Sequence, residues 1–67
     1  MSVVKIIELL AESPESWEAA TQVAVTEASK TIKHIKNVYI KDMKAIVEDG
    51  KIVRYRVNVK ISFVVND

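Results

Sequence analysis

The chain has 67 residues, with ten basic and nine acidic side chains and a net charge of +1. It contains no cysteine, which excludes disulfides and thiolate metal sites, and its near-neutral balance argues against a nucleic-acid partner. A domain this short hides only roughly 60% of the surface its unfolded chain exposes, so without a staple it is expected to need a partner or very good packing.

The hydrophobic fraction of 49% and the charged fraction of 28% are those of a globular chain, not a disordered one. The apolar run near the N-terminus is broken at Lys5 and Glu8, unlike a secretory signal. No stretch approaches the roughly 20 apolar residues of a membrane span. A single soluble, cytoplasmic domain over residues 1–67 is expected, with no membrane partner.

Residues 3–10 read Val-Val-Lys-Ile-Ile-Glu-Leu-Leu, and their β-branched side chains favour a strand. Both faces of that strand carry apolar residues. Ser13-Pro14-Glu15-Ser16 then marks a helix start, with Ser13 as the cap and Pro14 at the first helical position. Trp17, Ala20, Ala24, Ala28, Ile32 and Ile35 recur at three- and four-residue steps, which predicts a helix running to about Ile35. The alanine-rich stripe should let this helix approach a sheet closely.

Residues 37–47 and 51–65 read as two strands around Asp49-Gly50, a hairpin signal. In the last strand Val53, Tyr55, Val57, Val59, Ile61, Phe63 and Val65 alternate with mostly polar residues, giving one apolar face. A two-residue loop would set Asp42 and Lys44 against that face. A three-residue loop, Glu48-Asp49-Gly50, avoids this and predicts Met43 opposite Tyr55, Ala45 opposite Val53 and Asp42 opposite Arg56. Lys41 then falls on the apolar side and is expected to reach out past the helix. The result is an α+β fold, β-α-β-β, with an antiparallel sheet of order 1-3-2 and the helix on one face.

The other sheet face is expected to carry Val38, Ile40, Ile46, Ile52 and Val64 among Asp42, Lys44, Arg54, Arg56, Asn58 and Lys60. Together with a last strand about 50 Å long, this predicts an interface with further copies of the chain.

Chemistry is sparse. His34 reads as a surface histidine near the helix end, favoured there by the helix dipole. Glu12, Glu15 and Glu18 read as capping and solvation charges, and no calcium-binding loop surrounds Asp49-Gly50. Trp17, Tyr39 and Tyr55 are expected in the core. Nothing supplies a nucleophile with its base, so an enzyme is not expected.

In order and spacing, three words of this sequence resemble the dodecin family: Val3-Val4-Lys5-Ile6-Ile7-Glu8, Ser13-Pro14-Glu15-Ser16-Trp17-Glu18-Ala19-Ala20, and Tyr55-Arg56-Val57-Asn58-Val59-Lys60-Ile61-Ser62-Phe63. The resemblance implies a hollow homododecamer of tetrahedral symmetry. Flavin-binding members hold stacked flavin pairs (FMN or riboflavin) between subunits and store them without turnover. Two side chains mark that site, a Trp in the second strand and a Gln in the third; here Asn37 and Arg56 occupy the matching positions. Both depart from the pattern, which weakens flavin binding. Trp17 and Asp42-Met43 look more like the branch described as calcium-carrying, with Asp42 and Glu8 as the candidate metal ligands. The resemblance thus implies a binding or storage shell for a flavin-like molecule or a metal such as calcium. The alternative is a structural or regulatory oligomer without a ligand.

Overall fold

The computed structural model describes residues 3–66. Strand β1 (Val3–Ser13) is followed by helix α1 (Trp17–Ser29), strand β2 (Ile35–Glu48) and strand β3 (Lys51–Asn66). The sheet is antiparallel in the order β1-β3-β2, as expected, with α1 on one face.

The helix starts later than Ser13-Pro14 suggests and ends earlier than its apolar stripe suggests. Ser13 is the last rung of β1, opposite Tyr55, and its Oγ accepts from the Glu15 amide at 3.0 Å. That bond closes a turn through Pro14 and leaves capping to Ser16, whose Oγ accepts from the Ala19 amide at 2.9 Å. Past Ser29, the amides of Thr31 and Ile32 return to the Ala28 carbonyl at 3.2 and 2.9 Å. His34 then takes a left-handed conformation (φ 64°), which no helix can continue. It is an exposed residue of the link, not of the helix end, and its carbonyl accepts from the Val64 amide. Ile32 and Ile35 still pack on the core, but from the link and from the start of β2.

Ala20, Ala24 and Ala28 of α1 lie on Ala11 of β1 and on Val57, Val59 and Ile61 of β3; these seven form the buried core. Small side chains on the helix let its backbone approach β-branched residues on the sheet. Trp17 fixes the first turn. Its indole Nε1–H donates to the Lys44 carbonyl at 2.9 Å, and its ring meets Tyr55 edge-on with centroids 4.9 Å apart.

The hairpin departs from the expected register. Asp49 (φ 52°) and Gly50 (φ 75°) are both left-handed, and Glu48 pairs with Lys51, so the loop has two residues. A bulge at Ile46/Val47 then restores the phase. It sets Ala45 opposite Tyr55, Met43 opposite Val57 and Asp42 opposite Asn58, each two residues from the predicted partner but on the predicted face. A second break between Ile40 and Asp42 inverts what lies beyond it. Val38 and Ile40 now oppose Ile61 and Val59 on the helix side, while Tyr39 opposes Lys60 on the other. The expected placement of Val38 and Ile40 on the open face, and of Tyr39 in the core, is therefore reversed. Lys41, at the break, reaches the open face instead of passing the helix.

Candidate functional site

The face of the sheet turned away from α1 holds every candidate position read from the sequence. Alternation along β1 places Val4, Ile6, Glu8, Leu10 and Glu12 there, and their partners on β3 are Val64, Ser62, Lys60, Asn58 and Arg56. Asn37, Tyr39, Asp42 and Lys44 join them from β2. Val4, Ile6, Leu10 and Tyr39 are each more than half exposed, which a lone sheet face in water does not favour.

Charges on this face are organised around two glutamates. Glu12 accepts from Arg56 through Nε at 2.6 Å and Nη2 at 2.5 Å, and Arg54 Nε stands 3.5 Å from its other oxygen. Arg56 is thus held by Glu12, not by Asp42 as the predicted register required. Glu8 accepts from Lys41 Nζ at 3.3 Å. The neighbouring Asn58 side-chain amide, then the hydrogen bond from Lys41, holds the Glu8 carboxyl below its ordinary range. Among the described residues Asn58 Oδ1 is buried without a partner. Asn58 also lines a hollow of about 30 Å³ with Leu10, Asp42, Lys44 and Arg56, a space the size of one water.

Neither candidate pair meets within one chain. Asn37 opposes Ser62, six residues along β3 from Arg56, or about 20 Å away. Glu8 and Asp42 lie on the two edge strands with β3 between them and two residues out of step, about 12 Å apart. Among the described residues no three His, Cys, Asp or Glu side chains cluster as metal ligands. Calcium takes six to eight oxygens, so Asp42 or Glu8 could serve it only with further oxygens from water, from neighbouring groups such as Asn58 Oδ1, or from other copies. Sequence reasoning missed Glu12 as the clamp on both arginines, and it missed the exposure of Tyr39. The first was accessible: β1 and β3 alternate in phase, so Glu8 and Glu12 share a face with Lys60 and Arg56. The second depends on a bulge that leaves no mark in composition.

A family model described as Dodecin matches residues 3–66. The chain belongs to the dodecin family. It is 32% identical over 63 residues to the calcium dodecin of Mycobacterium tuberculosis, a span of 94% of this chain and 89% of that protein. It is 31% identical over 61 residues to the dodecin of Thermus thermophilus, covering 91% and 88%. Among solved structures, a T. thermophilus dodecin mutant superposes with a TM-score of 0.93 at 28% identity, over 100% of both chains. The M. tuberculosis calcium dodecin, described as a calcium-chelating antigen with a novel calcium-binding site, gives a TM-score of 0.84 at 29% identity, over 97% and 93%. The dodecin fold is thus matched over the whole chain. Among the described residues no helix is long and apolar enough to cross a membrane.

Proposed function

We propose that the chain is a single-domain, non-catalytic subunit of a cytoplasmic homododecamer that holds a small ligand between subunits, at the open sheet face. The observation that carries this reading is how poorly one copy covers itself. A compact 67-residue domain has a radius of gyration of about 11 Å; this one has 13.7 Å and extends 52 Å along its long axis. A folded monomer of 7.5 kDa exposes about 4,250 Å². The chain exposes 4986 Å², an excess near one partner's share of a standard interface, about 800 Å². The open face, with its exposed aliphatics and two glutamate-centred ion clusters, is where assembly would bury that surplus.

The ligand is a flavin-like molecule or a metal ion. For the flavin arm, Asn37 and Arg56 occupy one face and would be joined by a second subunit, since a single chain keeps them about 20 Å apart. For the calcium arm, the support is the relative named calcium dodecin, together with Asp42 directly opposite Asn58, whose Oδ1 lacks a partner. Lys44 and Arg56 line the same hollow and oppose a cation there. The departure at Asn37, and the engagement of Arg56 by Glu12, favour a second reading, an oligomer with no ligand.

Native mass spectrometry of the purified protein tests the proposal. Twelve subunits are expected, and any excess mass identifies flavin or metal. A monomeric or dimeric mass would overturn the shell. For the calcium arm, a chelator should lower the thermal transition, and an unchanged melt at several chelator concentrations would exclude it.

A further inference from the structure

The β2–β3 hairpin runs on past the elements that cover the rest of the sheet. β1 ends at Ser13, opposite Tyr55, and α1 begins beside the same rung, where Trp17 donates to the Lys44 carbonyl. Residues 46–54 stand beyond both as a two-stranded arm. A bare hairpin of this kind is marginally stable in water. Val47 and Ile52 pair across the arm and are 59% and 55% exposed. The tip carries Glu48 and Asp49 against Lys51, and among the described residues none of the three enters an ion pair.

The opposite end of the sheet offers the complement. α1 stops at Ser29, so the last rungs of β1 and β3 are flanked by the link to β2 instead. There Lys5, Ile32, Lys33, His34, Phe63 and Val65 line a groove of about 420 Å³. It combines three apolar side chains with Lys5 and Lys33, which are exposed and enter no ion pair among the described residues. Glu27, in the last helical turn, is already paired with Lys30 at 2.8 Å. An apolar groove with basic side chains lies at one end of the molecule, and an apolar arm with an acidic tip at the other.

The two cannot meet within one chain. Ile52 and Val65 are thirteen residues apart on β3, about 43 Å. Contact between them joins unlike surfaces of two copies. A face that meets its own copy about a twofold axis closes at two chains, so a particle of twelve needs a contact of this second kind as well.

We propose that the hairpin arm of one copy docks in the groove beside the α1–β2 link of the next. Val47 and Ile52 pack against Ile32, Phe63 and Val65, and Glu48 and Asp49 meet Lys5 and Lys33. This rests on the homo-oligomer proposed above, not on its ligand.

The chain has no cysteine, which makes cross-linking the test. Ile52→Cys with Val65→Cys, treated with a short bis-maleimide, should give a denatured ladder reaching beyond the dimer, and neither single variant should give one. Reversing the groove charge with Lys5→Glu and Lys33→Glu should raise the protomer concentration needed for assembly roughly tenfold at low salt. Adding Glu48→Lys and Asp49→Asn to that chain should restore assembly. No ladder from the cysteine pair, or an equal ladder from a single variant, overturns the contact. Native mass spectrometry of the parent separates the two proposals. Twelve subunits without a ladder removes the arm contact and leaves the shell, whereas a ladder from a smaller particle keeps the contact and removes the shell. Inorganic phosphate bound by a parent whose cysteine pair gives no ladder would make the groove an anion site instead. Should the cysteine pair fail to fold by circular dichroism, the charge reversal decides, and assembly that the added tip substitutions do not restore overturns the contact.

Discussion

Enlarging Ala24 tests how closely the helix lies on the sheet. Ala24 is 2% exposed and packs among Val57, Val59 and Ile61, each fully buried. Ala24→Leu adds three carbons where no space is left, and overpacking of this kind costs about 1–3 kcal/mol. For so small a domain the urea dependence of stability is about 1 kcal/mol per molar. The expected drop in the unfolding midpoint is therefore about 1–3 M, large enough to read by circular dichroism. Protomer concentration must be matched between proteins, because assembly contributes to apparent stability. The neighbouring Val23 is 45% exposed, and Val23→Leu serves as the control, with a change within about 0.5 kcal/mol expected at a surface site. If Ala24→Leu unfolds within a few tenths molar of the parent, or if Val23→Leu loses as much, the close helix–sheet contact is not what holds this core.

Gly50 takes φ 75° with no atom within 4 Å of where a Cβ would sit, so Gly50→Ala should cost about 1–2 kcal/mol through conformation alone; a higher urea midpoint than the parent would contradict a left-handed turn. The folded-state pKa of Glu8 is lowered, chiefly by the neighbouring Asn58 side-chain amide and then by Lys41, so its contribution is complete above the ordinary carboxylate pKa and disappears as pH falls through the lowered value. Glu8→Gln should thus melt below the parent near neutrality, with the gap closing in acid; a gap that stays constant across that window counts against the interaction. The double variant Asn37→Trp with Arg56→Gln should bind riboflavin about two- to tenfold more tightly than the parent if these positions match the flavin site, and equal affinities in a fluorescence titration would reject the match.

The element order and the sheet order were legible in the sequence because each strand carries its own alternation and the helix its own stripe. The alanines and the odd-numbered residues of β3 meet as their periods predict. What escaped was set by single residues that break a period. Ile32 and Ile35 continue the helical stripe by spacing, but they reach the core after His34 has turned the chain. A two-residue loop alone would misplace Asp42 and Lys44; the chain keeps that loop and corrects the phase with a bulge at Ile46/Val47, two residues ahead of the turn signal. The same limit applies to the site. Parity along β1 and β3 is enough to find Glu8 and Glu12 among their basic partners, whereas the exchange of Val38 and Ile40 for Tyr39 follows from an irregularity at Lys41 that no residue type announces.

The irregularities in β2 bear on how copies of this chain can grow together. A regular edge strand offers an unbroken row of amides and carbonyls, and another sheet can add to it without end. β2 is the edge beyond β3, and its ladder is interrupted at Ile35/Asn37, at Ile40/Asp42 and at Ile46/Val47. No incoming strand could match it for more than a few residues. Fibril-like extension through this edge is thereby frustrated, and association on the β2 side is diverted to side-chain contacts between faces, which symmetry can close into a particle of finite size.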